Sequence, residues 1–380
     1  MCHGLRKGDV MDGIRGNLTG LQEAIVASDL DCIIATSPEN FTYTTDTVVW
    51  TQKMGRLAVA IIPREGTPSI LVAEQEKGYV SQQSWIQEVH SYVAHGPSPL
   101  SSLKEILSEK GLTTGRIGVE AGFFKTSEYA ELTAALPEAE LVNCRPIFDK
   151  LRVIKTPEEV NLLKFGAVAT ERALLATYAT IRPGDRERSV AGRIAGNMLQ
   201  NGADLPAFLF LTIGANTGHA HSSPTEYLAE LGDLVKSDVG AYFSGYFSDV
   251  ARTAVLGGAS VEQRSLYERL YEVHSETLAS IRPGVPVKEV FQVATEGYKR
   301  VKIPFPFSFA GHGIGLSAHE GPLLGADDET ILAPQMVLAV ETRVRWPGQA
   351  GYHIEDMVCV TETGLEVWTQ DMGTRRLMEI

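Results

Sequence analysis

The chain has 380 residues, 44% hydrophobic and 21% charged, which is typical of a globular protein and excludes disordered and fibrous classes. Its formal net charge of -13 argues against nucleic acid or an anionic membrane as a partner, and it contains no apolar run long enough to cross a bilayer. Its four cysteines are scattered and the N-terminus lacks a signal-peptide core, so free thiols and a cytoplasmic location are predicted.

The first part of the chain has the mixed pattern of an α/β domain. Apolar residues at helical spacing predict a helix near 12–28, and a second helix is expected over 99–110. Segments rich in β-branched and aromatic residues predict strands at 31–36, 41–45, 57–63 and 69–73, with a turn at 37–40.

A strong helix start marks the boundary between two predicted domains, 1–150 and 151–380. Thr156 suits the N-cap, Pro157 the first helical position, and Glu159 completes a capping box. The helix is expected to continue to the IRPG turn at 181–184.

The second predicted domain contains an internal repeat. The IRPG sequence recurs at 281–284, one hundred residues after its first occurrence. Asp238 and Glu341 are 103 residues apart, and Asp249 and Glu355 are 106 apart. This spacing predicts two related halves, each built from helix, helix and then strands.

Each half carries a carboxylate pair on a predicted hairpin. Asp238 and Asp249 flank a turn at Gly245, so they are expected to stand opposite each other with Cβ atoms about 5 Å apart. Two like charges so placed destabilise a sheet, and burial would increase the cost. A bound cation would remove this conflict.

The second pair, Glu341 and Glu355, is centred on Gly348 in the same way. Between the two pairs, His312 lies in the glycine-rich segment FAGHGIG, where the backbone can approach a ligand closely. Four carboxylates and one imidazole suit Mn²⁺, Zn²⁺ or Co²⁺ and carry enough charge for two divalent metal ions.

Four segments of the second domain resemble the active-site motifs of the pita-bread metallopeptidase family: SDVGAYFSGYFSDVART, GHGIGLSAHEGP, VETRV and GYHIEDMV. The segments LRVIKTPEEVNLL and SPENFTYTTD resemble its prolidase, aminopeptidase P and creatinase branch. The resemblance implies an α/β (α+β) fold, in which a creatinase-like α/β domain precedes a pseudo-twofold pita-bread catalytic domain. It implies metal ligands at Asp238, Asp249, His312, Glu341 and Glu355.

The resemblance also implies a dinuclear hydrolase that cleaves an amide bond in short peptides, with Xaa-Pro as the expected sequence. A hydroxide bridging the metals would attack the carbonyl, and Glu341 would move the proton. His221 and His319 would hydrogen-bond the substrate, with His219 as the alternative to His221 on the same face of an expected strand. The expected partners are a short peptide and a second copy of the chain in a homodimer.

Three positions depart from this branch: Ser308 replaces a histidine, Thr342 a proline, and His353 an arginine that supports a metal ligand. His353 is expected to lie beside the metal ligands, with a solvated strand position as the alternative. These departures leave it open whether proline is required. The alternative functions are a creatinase-like C–N hydrolase of a small amide or guanidino compound, and a catalytically silent binding protein. Metal content and peptide cleavage distinguish them.

Overall fold

The computed structural model describes residues 15–380, which form two compact units, one ending at Arg152 and the other beginning at Val153. The predicted helix positions 12–14 lie outside the described residues. No helix within 15–380 combines the length and the apolar character that crossing a membrane requires.

The first unit is a six-stranded mixed sheet with helices, in the strand order β4-β3-β2-β1-β5-β6. Its elements are α1 (Leu18–Ala27), β1 (Cys32–Ala35), α2 (Pro38–Thr45), β2 (Val59–Pro63), β3 (Ser69–Ala73), α3 (Glu74–Gln83), β4 (Glu88–Tyr92), α4 (Pro99–Glu109), β5 (Thr114–Val119), α5 (Thr126–Ala135), β6 (Glu138–Asn143) and α6 (Arg145–Val153).

The strand predicted at 41–45 and the turn predicted at 37–40 are wrong, because both segments belong to α2. Ser37 caps this helix by accepting a hydrogen bond from the amide of Asn40. Thr44 and Thr45 donate their hydroxyls to backbone carbonyls four residues earlier. Local capping therefore outweighs the extended preference of threonine and tyrosine.

The second unit is built around a ten-stranded sheet, whose main path is β12-β11-β13-β14-β10-β8-β7. Its elements are α7 (Pro157–Tyr178), α8 (Glu187–Gln200), β7 (Leu205–Ile213), β8 (Leu234–Phe243), β9 (Tyr246–Phe247), β10 (Val250–Val255), α9 (Val261–Ser280), α10 (Val287–Arg300), β11 (Phe309–Gly313), β12 (Glu320–Gly325), β13 (Val337–Trp346), β14 (Ala350–Val360), β15 (Leu365–Val367) and β16 (Met378–Glu379).

The predicted capping box at the start of α7 is confirmed. The Thr156 hydroxyl accepts from the Glu159 amide at 3.2 Å, and the Glu159 carboxylate accepts from the Thr156 amide at 2.8 Å. The helix ends at Tyr178, earlier than predicted. The amides of Thr180 and Ile181 then bond three residues back, which tightens the chain before the turn.

The two predicted halves are confirmed by their matching turns and sheet registers. Gly184 and Gly284 both adopt positive φ, at 88° and 86°, before α8 and α10. In the second half, His312 pairs with Ala339, and the corresponding pair in the first half is Thr212 with Lys236. Likewise, Glu355 pairs with Glu341 in the second half, and Ala251 pairs with Asp238 in the first. The fold is therefore the predicted α/β arrangement, in which helices of both halves cover one face of the large sheet.

Candidate metal centre and active site

The predicted metal ligands lie on the face of the large sheet that is opposite the helices. Val344, Tyr352 and Ile354 on β13 and β14 pack into a hydrophobic core against α9 and α10. Because successive strand residues point to opposite faces, Glu341 and Glu355 point away from that core. The alternation of acidic and apolar residues along these strands thus places the buried acids on one face and the residues of the hydrophobic core on the other.

Strand pairing aligns three carboxylates in one row across four strands. Asp238 pairs with Ala251, Ala251 with Glu355, and Glu355 with Glu341. Directly paired residues in a sheet point to the same face, so the small Ala251 leaves the space in front of the row open. The predicted opposition of Glu341 and Glu355 is confirmed.

The predicted opposition of Asp238 and Asp249 is wrong. The hairpin turns at Ser244 and Gly245, both at positive φ, and pairs Asp238 with Ala251 instead. Asp249 is therefore diagonal to Asp238 on the same face, where neighbouring residues are about 7–8 Å apart and their Cβ atoms slightly closer. Its Oδ1 is buried without a hydrogen-bond partner.

His312 approaches this acidic row from β11. Its Nε2 lies 3.9 Å from Oδ2 of Asp249 and 3.8 Å from Oε1 of Glu355. Burial, together with the nearby His319 ring, lowers the pKa of His312 to about 4. The imidazole is therefore neutral near pH 7, which is the form that binds metals.

Burial makes the ionised carboxylates costly in the absence of a cation. The pKa of Asp249 is raised well above its usual value by burial and by the charges of Asp238 and Glu341. The pKa of Glu355 is raised by burial and by Asp249 and Glu341. Such mutual repulsion in a dry site is relieved by a positive ion.

The ligand atoms form two buried groups that could each hold a metal ion. One group contains Asp249, His312 and Glu355, and the other contains Asp238, His353 and Glu355. Oε1 of Glu355 faces His312, and its Oε2 lies 3.7 Å from Nε2 of His353. The mixed oxygen and nitrogen donors fit divalent ions such as Mn²⁺, Zn²⁺ or Co²⁺.

His353 is buried beside the carboxylates, so the alternative of a solvated strand residue is wrong. Its Nε2 lies 2.9 Å from Oε2 of Glu341, and its Nδ1 is 3.5 Å from Oδ2 of Asp238. Burial lowers its pKa well below the usual value. Thr253 fixes the backbone here, because its hydroxyl bonds both the amide and the carbonyl of His353.

The sequence interpretation missed three cations next to the acids: Lys236, Arg343 and Arg345. Nη1 of Arg343 lies 2.5 Å from Oε2 of Glu341, an ion pair whose angles fall outside those of a hydrogen bond. Burial and Arg345 lower the pKa of Lys236 to about 7. Strand alternation was the sequence signal that could have identified them. Each cation is two or four residues from a predicted ligand, so it lies on the same face of its strand.

A cavity of about 300 Å³ opens above the acidic row. It is lined by Phe208, Phe210, His221, Asp238, Asp249, Phe309, His312, Ala318, His319, Glu341, Arg343, Arg345 and Glu355. Its lining thus combines aromatic rings, histidines, carboxylates and two arginines.

Of the remaining predicted site residues, some line the cavity and the others do not. His221 packs on Phe210 with ring centroids 4.9 Å apart, and His319 stacks on His312 at 3.7 Å. The loop holding His219 and His221 is not the expected strand, and His219 does not line the cavity. Ser308 is exposed outside the cavity, and Thr342 is buried on the opposite face of β13.

A second charged cluster lies on the helix-covered face of the sheet, behind the acidic row. The Arg252 guanidinium donates to Glu171 and to Asp356, each at 2.8 Å, and to the carbonyl of Glu355 at 2.6 Å. His274 contacts the same Asp356 at 2.9 Å. This buried network ties α7 and β10 to the strand that carries Glu355.

Replacing Arg252 with methionine is expected to destabilise the fold by about 3–5 kcal/mol, because it leaves two buried carboxylates without a cation. Urea unfolding of the variant and the unmodified protein measures this change. The matched control is Arg264→Met, which removes an arginine of an exposed pair with Glu379 and is expected to leave the unfolding midpoint unchanged. Equal midpoints for all three proteins would contradict the structural role of Arg252.

Comparison with known proteins agrees with this geometry. Residues 161–362 match Metallopeptidase family M24, and residues 18–154 match the Creatinase/Prolidase N-terminal domain. The chain is 32% identical over 278 residues to the uncharacterized peptidase YqhT of Bacillus subtilis, covering 72% of this chain and 77% of that protein. It is 34% identical over 226 residues to a Xaa-Pro dipeptidase of Pyrococcus furiosus, covering 59% and 65%.

The solved structures include a Xaa-Pro dipeptidase from Bacillus anthracis, with a TM-score of 0.83 and 26% identity over 96% of this chain and 99% of that one. The chain therefore belongs to metallopeptidase family M24, and it is a metal-dependent peptidase with a creatinase-like N-terminal unit. These relatives favour peptide hydrolysis over the creatinase-like alternative.

Proposed function

We propose that the chain hydrolyses short peptides at Xaa-Pro bonds with two divalent metal ions bound at the acidic row. The observation that carries this proposal is the convergence of Asp238, Asp249, His312 and His353 into two buried groups that share Glu355, with Glu341 paired to Glu355 on the neighbouring strand. The names of the relatives, Xaa-Pro dipeptidases, support the choice of bond. The cavity volume of about 300 Å³ favours a short substrate.

The proposed metal ligands are Asp238, Asp249, His312, Glu341 and Glu355. When bound, two divalent ions supply an activated water as nucleophile and polarise the amide carbonyl. His312 and Asp249 face one oxygen of Glu355, and Asp238 lies on its other side beside His353. Glu355 therefore has an oxygen directed to each group.

Glu341 is the proposed proton carrier. Arg343 and His353 both contact its Oε2, at 2.5 and 2.9 Å. These contacts hold the carboxylate plane in one orientation and leave Oε1 free to accept a proton from the attacking water. The same oxygen would then deliver the proton to the leaving nitrogen.

His221 and His319 are the proposed hydrogen-bond donors to the substrate. Both rings line the cavity, held by stacking on Phe210 and His312. Burial lowers the pKa of His319, so this ring is a neutral donor at pH 7. A neutral imidazole N–H directed at the carbonyl oxygen stabilises the negative charge that develops there. We do not assign this role to His219.

A homodimer is the proposed assembly, and its support is the resemblance to the prolidase branch. A cytoplasmic location is supported by the cysteines within residues 15–380, which are buried and unpaired: Cys32, Cys144 and Cys359.

The test is a substrate panel with protein reconstituted in Mn²⁺, Zn²⁺ or Co²⁺. We expect cleavage of Ala-Pro and about two metal ions per chain by elemental analysis. The matched substrate Ala-Ala tests the requirement for proline. Activity that survives complete chelation, or cleavage of small non-peptide amides alone, would contradict the proposal.

A further inference from the structure

His353 has one ring nitrogen that makes no hydrogen bond within residues 15–380. The residue is 1% exposed, and its Nδ1 is buried without a hydrogen-bond partner. Its other nitrogen is already in use, because Nε2 lies 2.9 Å from Oε2 of Glu341. A polar atom that is removed from water and left without a partner costs free energy. Nδ1 is therefore suited to a binding partner that the protein chain itself does not supply.

The contact with Glu341 determines which nitrogen of His353 can bind a cation. An ionised carboxylate only accepts hydrogen bonds, so Nε2 carries the ring proton and donates it to Oε2 of Glu341. In a neutral imidazole the other nitrogen then has a free lone pair, which places that lone pair on Nδ1. Histidines that bind metal through one nitrogen commonly donate the other N–H to a carboxylate. Glu341 thus fixes His353 in the form in which Nδ1 can bind a metal ion.

Nδ1 of His353 lies beside the other members of one buried ligand group. It is 3.5 Å from Oδ2 of Asp238 and makes no hydrogen bond to that oxygen. One ring nitrogen of His353 and one oxygen each of Asp238 and Glu355 lie within 4.8 Å of one another. Two ligand atoms that are each about 2.1 Å from the same tetrahedral ion are about 3.4 Å apart. The separation of Nδ1 and Oδ2 therefore suits two ligands of one ion.

The internal repeat gives His353 the same position as a predicted ligand of the first half. Ala251 and Glu355 are equivalent in the two halves, because each pairs with the acid on the preceding long strand of its own half. Asp249 and His353 each lie two residues earlier, so they are equivalent as well. The two-residue strand period directs both side chains to the acidic face of the sheet. His353 therefore occupies, in the second half, the place from which Asp249 reaches the other ligand group.

We propose that His353 is a sixth metal ligand, which binds the ion of the Asp238 and Glu355 group through Nδ1. This inference rests on the proposed function, because it adds a ligand to the metal centre of that hydrolase. Each ion then has one imidazole, from His312 in one group and from His353 in the other. Imidazole nitrogen suits Zn²⁺, whereas Mn²⁺ is better served by sites made of oxygen. The second imidazole therefore makes the centre selective for Zn²⁺ over Mn²⁺.

The first experiment counts the coordinated histidines by proton NMR of the protein loaded with two equivalents of Co²⁺. Paramagnetic Co²⁺ moves the N–H proton of each imidazole bound to it far outside the usual spectral range, and this signal disappears in D₂O. We expect two such signals in the unmodified protein and one in His353→Gln, because glutamine can still hydrogen-bond Glu341 but has no imidazole. His90→Gln, which changes a histidine paired with Glu88 in the first unit, is the control and should keep both signals. One signal in the unmodified protein, or two that persist in His353→Gln, would overturn the proposal.

The second experiment distinguishes a ligand from a residue that only orients the carboxylates. Calorimetric titrations with Zn²⁺ and with Mn²⁺ give the preference of each site for one ion over the other. A residue that only orients Asp238 or Glu341 affects both ions alike, whereas an imidazole ligand favours Zn²⁺. The preference for Zn²⁺ over Mn²⁺ at one of the two sites is therefore expected to fall about tenfold or more in His353→Gln. Equal losses of affinity for the two ions would contradict the ligand role.

These measurements separate this inference from the proposed function, because neither requires a substrate. Two bound Co²⁺ ions with one shifted signal, alongside cleavage of Ala-Pro, would leave the hydrolase intact and remove His353 from its ligands. Two signals without cleavage of any Xaa-Pro peptide would support the ligand role and contradict the proposed function. A protein that binds no Co²⁺, Zn²⁺ or Mn²⁺ would contradict both. Circular dichroism of each variant confirms that it is folded.

Discussion

The substitution Asp249→Asn is expected to abolish hydrolysis, with a loss of about 10³-fold or more in kcat. The substitution keeps the shape of Asp249 and removes the charge at the centre of the site. Asp249 and His312 share one of the two metal-binding groups, so this group would retain only Glu355 as a carboxylate. The variant should therefore bind fewer metal ions as well as losing activity.

Elemental analysis and a Xaa-Pro assay on the same preparation measure both effects. The control is Asp327→Asn, which removes an exposed carboxylate that does not line the cavity. It should bind as much metal as the unmodified protein and cleave at the same rate. Full turnover in Asp249→Asn would show that the metal centre is assigned to the wrong residues.

The same substitution is expected to stabilise the protein when metal is removed, and increasingly so as the pH rises. The pKa of Asp249 is raised in the folded state by burial, then by Asp238 and Glu341. Above pH 4, where an unfolded aspartate has released its proton, the folded chain holds more protons than the unfolded chain. Stability therefore falls with rising pH in this window, and asparagine removes that fall.

Thermal melts of both proteins in a chelator, from pH 5 to pH 8, test this expectation. The difference between the two melting temperatures reports on Asp249 and on the part of the Glu355 pKa shift that Asp249 causes, because other titrating groups such as His312 and Lys236 are present in both proteins. Added metal should reverse the order, because it stabilises only the protein with its ligands complete. A difference that shrinks with rising pH would contradict the buried, repelled state of Asp249.

The sequence was sufficient to predict the halves and the acidic pairs, because both depend on spacing. A two-residue strand period fixes which residues share a face, and repeated turns fix where strands begin. The opposition of Glu341 and Glu355 follows from counting outward from Gly348. The same count placed Asp249 opposite Asp238, but the observed partner is Ala251, two residues later. The count was wrong because the midpoint of Asp238 and Asp249 is not the centre of the turn.

Other features depend on contacts that a linear reading does not contain. The segment 41–45 has strand propensity, but its cap and its threonine hydroxyls satisfy a helix. For His353 the sequence left a solvated position open as the alternative, and only the folded sheet shows that its ring lies beside Glu341. Arg343 belongs to the VETRV segment and Arg345 follows it, but only the structure shows that both side chains line the cavity. Such cross-strand neighbours are set by tertiary structure rather than by local preference.

The matching registers of the two halves also show how the repeat contributes to the metal centre. By strand pairing, the counterpart of Asp238 is Glu341, whereas the counterpart of Glu355 is Ala251 and that of His312 is Thr212. Asp249 precedes β10 at the place that His353 occupies in the second half. Only the acid at 238 and 341 is therefore common to both halves. The metal centre is asymmetric within a repeated fold, because each half supplies a different set of side chains.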